Sequence, residues 1–126
     1  MARGAHRAVG RWQAVLRWRT AIGDETAVRN LEVLAIAVKR MGWRCVELYE
    51  EEHGFPMPLL WVYASGAAED VGAVVTVRAT AGGGWGYFEV GQGRGGFLFP
   101  CGDAKAAAER VDRLLKYRMF PNPEWA

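Results

Sequence analysis

The stretch GQGRGG, residues 91–96, has the spacing G-x-G-x-x-G, which can cradle a phosphate. A dinucleotide site needs these glycines between a strand and a helix, because the pyrophosphate rests on the free N–H groups at the helix N-terminus. Here Gly96 is followed by FLFP, which is extended and ends in proline. The glycine loop of protein kinases needs a strand lysine, a catalytic aspartate loop and a metal-binding aspartate, and the sequence contains none of these motifs. We therefore predict a hairpin turn in which glycine supplies positive φ.

The other reactive side chains do not form a recognisable catalytic or metal-binding pattern. The run EEEH ends at His53 and could chelate a metal, but neighbouring residues of an extended segment point apart, and the only other histidine is His6. Cys101 stands just before a predicted helix, whose dipole can stabilise a thiolate. With only two imidazoles in the chain, a half-buried structural thiol is the favoured interpretation. No G-x-S-x-G, H-E-x-x-H or Walker A motif is present. The sequence thus favours a non-enzymatic protein, with no catalytic residue, metal or cofactor assigned.

Length and composition indicate one globular domain. The chain has 126 residues, of which 51% are hydrophobic and 24% are charged, and it has no low-complexity tract. Its two cysteines form no C-x-x-C pair, so reduced thiols are expected. No apolar run approaches the length of about 18 residues that a membrane span requires. A cytoplasmic protein without a membrane association is the expectation.

Positive charge is concentrated in residues 1–23, here called the N-terminal arm. The arm has no acidic residue and carries +5, whereas the remaining residues carry −3 and the whole chain +2. Its apolar residues recur with helical spacing, which predicts an amphipathic basic helix over residues 3–19. The predicted organisation is this arm, a single α+β domain over residues 24–120 and a tail over residues 121–126. The five arginines of the arm are Arg3, Arg7, Arg11, Arg17 and Arg19.

Two further helices and four or five strands follow from periodicity. The segment from Asp24 to Gly42 has an apolar stripe at helical spacing and basic residues before the closing glycine. From Trp43 the period changes to two, and WRCVELYE, LLWVYAS, AVVTVRAT and WGYFEV predict an antiparallel meander. FLF adds a short fifth strand, and a last helix begins near Asp103 and ends before Pro121. The predicted order is α-α-β-β-β-β-(β)-α, with two helices packed on one face of the sheet.

Alternation divides the predicted sheet into two faces. The core face is assigned Val46, Leu48, Leu60, Val62, Val75, Val77, Phe88 and Val90. The opposite face is assigned Trp43, Cys45, Glu47, Tyr49, Leu59, Trp61, Tyr63, Thr76, Arg78, Thr80, Trp85, Tyr87 and Glu89. A slip of one residue in the third strand would exchange Ala73 and Val74 between the faces. Six aromatic residues would lie where the helices do not need to cover them.

From NLEVLAIAVKRMGWRCVELYE through PLLWVYA, GWGYFEVGQG and FPCGDAKAAAERVDRLL, residues 30–116 follow a recurrent plan. In this plan a helix ends in a Gly-Trp turn. A strand that begins with Pro-Leu and an aromatic strand that ends in glycine come next. A Pro-x-x-Asp step then leads into an alanine-rich helix. In this plan the chain resembles small proteins without an assigned activity that are common in high-GC actinobacteria. The resemblance implies the α+β fold and brings no function.

The aromatic face leads to the first hypothesis, a non-enzymatic interaction module that binds a protein partner or a second copy of itself. Trp and Tyr anchor interfaces, and large apolar patches seldom stay in water on a monomer. The partner-binding residues would be Trp43, Tyr49, Trp61, Tyr63, Trp85, Tyr87 and Arg78. Alternatively, Val9, Trp12 and Leu16 of the arm cover this face.

The second hypothesis is a nucleic-acid-binding accessory protein, in which sheet aromatics stack bases and arginines hold phosphates. RRM domains use a sheet in this way, but their β-α-β-β-α-β order differs from the one predicted here. Glu47 and Glu89, if they share the aromatic face, oppose this hypothesis. A third hypothesis is a small-molecule pocket or an enzyme between sheet and helices. The phosphate contacts of the second hypothesis would come from Arg3, Arg7, Arg11, Arg17 and Arg94.

Overall fold

The structure is a computed structural model that describes residues 24–49, 57–64, 71–91 and 96–120. It has two helices and a five-stranded antiparallel sheet, which confirms the α+β class and the fifth strand. The predicted N-terminal helix and C-terminal tail lie outside the described residues. The elements in chain order are α1 (Asp24–Arg40), β1 (Arg44–Leu48), β2 (Leu59–Tyr63), β3 (Gly72–Ala79), β4 (Trp85–Glu89), β5 (Phe97–Pro100) and α2 (Ala104–Met119).

The five strands lie in the sheet in the order in which they occur in the chain. Each strand pairs antiparallel with the next, and a bulge between Tyr87 and Phe88 interrupts the pairing of β4 with β5. The stretch GQGRGG joins these last two strands, and Gly91 has a φ of +93°. The predicted hairpin connection is therefore confirmed, and β5 rather than a helix follows Gly96.

Both helices have ends that the sequence specifies. At the end of α1, Gly42 adopts a φ of +98°, and the N–H of Trp43 donates to the carbonyl of Val38 at 3.1 Å. This is a Schellman arrangement, which satisfies carbonyl groups that the helix leaves free. At the start of α2, the side chain of Asp103 accepts a hydrogen bond from the N–H of Ala106 at 3.0 Å.

The helices pack on one face of the sheet, and the core lies between the two layers. Leu31 and Val38 of α1 and Val111 and Leu115 of α2 are almost completely buried. Aliphatic side chains and aromatic rings fill this space, as in an ordinary protein interior. The buried sheet residues of the core are Leu60, Val62, Ala73, Val75, Val77, Tyr87 and Leu98.

The predicted assignment of β1 to the two faces was wrong. Cys45 pairs with Val62, and Glu47 pairs with Leu60, so both point toward the helices. Val46 and Leu48 point away from them. The sequence could not distinguish these alternatives because β1 has apolar side chains at both parities. Trp43 and Tyr49, which flank the strand, also pack with the core.

The assignment of β4 was wrong for the same reason. Trp85, Tyr87 and Glu89 face the helices, opposite Ala79, Val77 and Val75 of β3. Phe88 pairs with Thr76 on the other face, and Val90 follows with its N–H bonded to the carbonyl of Val74 at 2.8 Å. The assignments of β2 and β3 were correct, including Val75 and Val77 as core residues.

Polar groups on the helices explain why Trp85, Tyr87 and Glu89 of β4 face the helices and Phe88 does not. The Tyr87 hydroxyl donates to the carbonyl of Asn30 at 2.8 Å, and Glu89 is hydrogen-bonded by Arg118. On the other side of the core, the Trp43 indole donates to Asp112 at 2.9 Å. Each side chain has an apolar body for the core and a polar end that reaches a partner, so its burial leaves no polar group unpaired.

Candidate functional site

The sheet surface that points away from both helices is here called the open face. Its residues follow from the cross-strand register, since paired residues point to the same side. The two glutamates expected on it, Glu47 and Glu89, lie on the opposite side. The open face of the described strands comprises Arg44, Val46, Leu48, Leu59, Trp61, Tyr63, Val74, Thr76, Arg78, Phe88 and Phe97.

One aromatic cluster of the open face is formed by Trp61 and Tyr63 on β2. Their ring centroids are 4.7 Å apart, with an angle of 35° between the ring planes. The guanidinium of Arg44, on the neighbouring strand, lies over the Tyr63 ring at 6.0 Å from its centroid. Trp61 is 40% exposed, which is high for the largest apolar side chain. This cluster therefore offers an aromatic surface and a cation to the solvent.

A second cluster with the same components lies on the open face toward its opposite edge, on β3, β4 and β5. Phe88 of β4 and Phe97 of β5 meet edge to face at a centroid distance of 5.3 Å. The guanidinium of Arg78 lies 5.3 Å from the centroid of the Phe88 ring. Phe97 is 44% exposed. Each cluster thus consists of two rings, one of them exposed, and one arginine that makes a cation–π contact.

Two strand glycines provide the space for the exposed rings. A Cβ on Gly72 would stand 2.9 Å from the Trp61 indole nitrogen, and a Cβ on Gly86 would stand 2.8 Å from Cε2 of Phe97. Glycine inside a strand often marks such a close approach. The rings rest directly against the backbone and are therefore restricted before any partner binds.

The centre of the open face is closely packed. Leu59 and Thr76 are almost completely buried, and the Thr76 hydroxyl donates to the carbonyl of Pro58 at 2.9 Å. The exposed surface of the open face therefore belongs to the aromatic clusters and not to these two central residues.

The charge on the open face is entirely positive among the described strand residues. Glu47 points toward α1 and forms an ion pair with Lys39 at 3.6 Å, whereas Glu89 is paired with Arg118. Within the described strands, no carboxylate pairs with Arg44 or Arg78 on this face. This arrangement attracts negative charge.

The sequence identified only part of this site. Of the partner-binding residues it named, Trp61, Tyr63 and Arg78 lie on the open face. Arg44, Phe88 and Phe97 were missed, although Gly86 within an aromatic strand indicated the close approach of a ring. The predicted arginines Arg3, Arg7, Arg11, Arg17 and Arg94 lie outside the described residues, and the other named residues, Trp43, Tyr49, Trp85 and Tyr87, pack with the core.

The two thiols lie away from this site and are weak acids. Burial raises the pKa of Cys101 to about 11. Burial likewise raises the pKa of Cys45 to about 11, with Lys39 lowering it and Glu47 raising it. Both are protonated at neutral pH and are therefore poor nucleophiles. Neither cysteine forms a disulfide with the other.

Within the described ranges, no group of three His, Cys, Asp or Glu side chains could hold a metal ion. His53 and its acidic neighbours lie outside those ranges. The helices over residues 24–40 and 104–119 are not long and apolar enough to cross a membrane.

Comparison of the chain with models of protein families, with curated proteins and with solved structures found no match. The function must therefore be argued from the geometry of the open face.

Proposed function

We propose that this chain is a non-enzymatic interaction module that binds an anionic partner on the open face. The observation that carries the proposal is the orientation of Glu47 and Glu89 toward the helices. Arg44 and Arg78 are then the charged residues of that face among the described strand residues. A surface of one charge sign attracts the opposite sign and repels its own.

The exposed aromatic rings indicate a surface that a partner covers. Trp61 and Phe97 keep 40% and 44% of their surface in water, although burial of such side chains is favourable by about 1.5–3 kcal/mol each. Aromatic side chains and arginine are the residues that dominate the energy of interfaces. This range is for complete burial, so a partner that covers both rings recovers the part of it that belongs to the surface still in water.

A second copy of the chain is a poorer match to this face than an anion. Two open faces in contact bring four arginines into one interface, and neither face supplies a strand carboxylate to pair with them. Unpaired like charges across an interface are unfavourable. The arm is a poor match for the same reason, since it carries +5.

The proposal is tested with polyphosphate, an anion that carries no apolar group. Fluorescence anisotropy of a labelled polyphosphate is measured against the full chain, the variant Arg44→Gln/Arg78→Gln and the control Arg29→Gln/Arg113→Gln. The control removes two exposed arginines from the outer surfaces of α1 and α2, so both variants lose the same charge. We expect the open-face variant to bind about tenfold more weakly than the control, because two charge-assisted contacts are lost.

Equal binding by the two variants would contradict the proposal. Sedimentation analysis measures the oligomeric state and so tests whether a second copy of the chain occupies the open face. A dimer that Trp61→Ala dissociates, without polyphosphate binding on the open face, would make a second copy of the chain the partner and overturn an anionic one.

A further inference from the structure

We infer that the anionic partner is a single strand of nucleic acid, with bases stacked on the exposed rings and phosphates held by Arg44 and Arg78. This inference rests on the proposed function, because it names the class of partner for the same face.

The side chains of the open face follow one another in an order that favours a linear partner. In the register of β3, Tyr63 lies level with Gly72, Trp61 with Val74 and Phe88 with Thr76. Arg44 pairs with Tyr63 at one end of this series, and Arg78 lies at the other end. The face therefore presents a diagonal track that has a cation at each end and aromatic rings between them.

The two exposed rings are well separated on the open face. Trp61 on β2 and Phe97 on β5 are three strand spacings apart and differ by two residues in register. Standard sheet dimensions then give about 16 Å between them. The track thus offers two separate stacking positions on a twisted, open surface. An extended single strand can place one base on each position, whereas the bases of a duplex are stacked on each other and expose no ring face.

The two clusters offer the same chemistry. Each has one exposed ring, and each has a guanidinium within cation–π distance of the neighbouring ring. Bases have a π-face whatever their sequence, and the phosphates between them accept hydrogen bonds from arginine. Each cluster therefore provides a surface for a base and a cation for a phosphate. An acidic peptide supplies the charge but has no regular series of aromatic faces.

The exposed rings are restricted before binding. Gly72 and Gly86 allow Trp61 and Phe97 to rest against the backbone, so little side-chain freedom is lost when a base stacks on them. A surface that binds no partner does not require two glycines that make space for aromatic rings against the backbone.

The experiment compares four labelled probes with the full-length protein by fluorescence anisotropy. They are an oligothymidylate of about 12 nucleotides, which suits a site of one small domain, an abasic oligonucleotide of the same length, a duplex of the same length and polyphosphate. The abasic strand keeps every phosphate and removes every base. We expect the oligothymidylate to bind at least about tenfold more tightly than the abasic strand and the duplex, since each stacked base contributes about 1–3 kcal/mol.

Variants assign the binding to the open face. Trp61→Ala is expected to lower the affinity for the oligothymidylate about tenfold, and Trp61→Phe, which keeps a ring, is expected to retain most of it. The matched control is Tyr117→Ala, which removes an exposed aromatic residue from α2, on the other layer of the fold. Circular dichroism of each variant checks that it remains folded, and Phe97→Ala provides an independent test at the second cluster.

The outcomes separate this inference from the proposed function. Equal affinity for the oligothymidylate and the abasic strand, or equal effects of Trp61→Ala and Tyr117→Ala, would overturn the nucleic-acid inference. If polyphosphate binding still requires Arg44 and Arg78, the anionic partner is of another class, such as an acidic peptide, and the proposed function stands. If no probe requires the open-face arginines, both fail.

Discussion

Arg118 of α2 donates two hydrogen bonds to the carboxylate of Glu89 on β4, one of them from Nη2 to Oε1 at 2.8 Å. Its Nη1 also donates to the carbonyl of Gly72 at 3.2 Å, so a single side chain connects α2 with two strands. The hydrogen bond to Glu89 raises the pKa of the guanidinium above its ordinary value. Since only 9% of the Glu89 side chain is exposed, the carboxylate depends on this arginine in place of water.

We expect Arg118→Met to lower the free energy of unfolding by about 3 kcal/mol, because it leaves the Glu89 carboxylate buried and unpaired. Urea denaturation measures the change. The control is Lys39→Gln, which breaks the half-exposed pair with Glu47 and should cost less than about 1 kcal/mol. The double variant Glu89→Leu/Arg118→Met should recover much of the loss. Equal losses for Arg118→Met and Lys39→Gln would contradict the role given to this pair.

The pair also shows where prediction from the sequence ends. Helices and strands follow from local periodicity. β3 has one clearly apolar parity, and β2 has an aliphatic parity in Leu60 and Val62 and an aromatic one in Trp61 and Tyr63, so their faces could be predicted. β1 and β4 are apolar at both parities, and distant partners decide their orientation. Glu89 meets Arg118 29 residues away, and Trp43 meets Asp112 69 residues away. No local pattern contains these pairings.

The candidate site was predictable to the same extent. Trp61 and Tyr63 follow from the alternation of β2, and Arg78 from that of β3. Phe97 depends on how the irregular pairing of β4 with β5 brings it opposite Phe88, which a bulge determines. From the sequence, Glu47 and Glu89 were assigned to the aromatic face and opposed nucleic-acid binding. Only the strand register shows that both lie on the opposite face.

Two tyrosines of the core differ in how their hydroxyl groups are satisfied. Tyr87 donates to the carbonyl of Asn30, whereas the Tyr49 hydroxyl is buried without a hydrogen-bond partner. We expect Tyr87→Phe to cost about 1 kcal/mol, because the hydrogen bond is lost. Tyr49→Phe should be neutral or stabilising, since it removes a buried polar atom that pairs with nothing. Urea denaturation of both variants gives the comparison, and a larger loss for Tyr49→Phe would show that its hydroxyl has a role the structure does not reveal.

The thiols make stability depend on alkaline pH. Burial raises the pKa of Cys45 and Cys101 from 9.0 to about 11, so each native thiol holds its proton where the unfolded thiol has lost it. Unfolding then releases protons, and the free energy of unfolding falls as the pH rises from 9 to 11. Burial also raises the pKa of Tyr49 and Tyr87, which acts in the same direction at higher pH.

This dependence is measured by urea denaturation from neutral pH to pH 11, with thiolate absorbance as a direct titration of the native protein. The variant Cys45→Ala/Cys101→Ala should lose less stability over this range than the unchanged chain. A native thiolate transition centred near pH 9 would contradict the burial of the two groups.

The glycines under the exposed rings should differ in their tolerance of a side chain. A Cβ on Gly72 would stand 2.7 Å from the carbonyl oxygen of Val62, and the backbone of a paired strand cannot move away easily. A Cβ on Gly86 would first meet the Phe97 ring, and a side chain yields more easily than the backbone of a paired strand. We expect Gly72→Ala to cost about 1–3 kcal/mol and Gly86→Ala less. Thermal unfolding measures both, and the reverse order would show that the ring is held more firmly than the backbone.

The arginines of the N-terminal arm should raise the affinity for the oligothymidylate and for the abasic strand by the same factor. Replacing Arg3, Arg7, Arg11, Arg17 and Arg19 with glutamine in the full chain removes charge without altering the open face. Since contacts with phosphates carry no information about bases, both the oligothymidylate and the abasic strand should bind more weakly and lose part of their salt dependence. The ratio of the two affinities, measured by anisotropy at two salt concentrations, should remain unchanged. Trp61→Ala should instead lower that ratio and leave the salt dependence intact. If the arm variant abolishes the preference for bases, the stacking surface belongs to the arm and not to the open face.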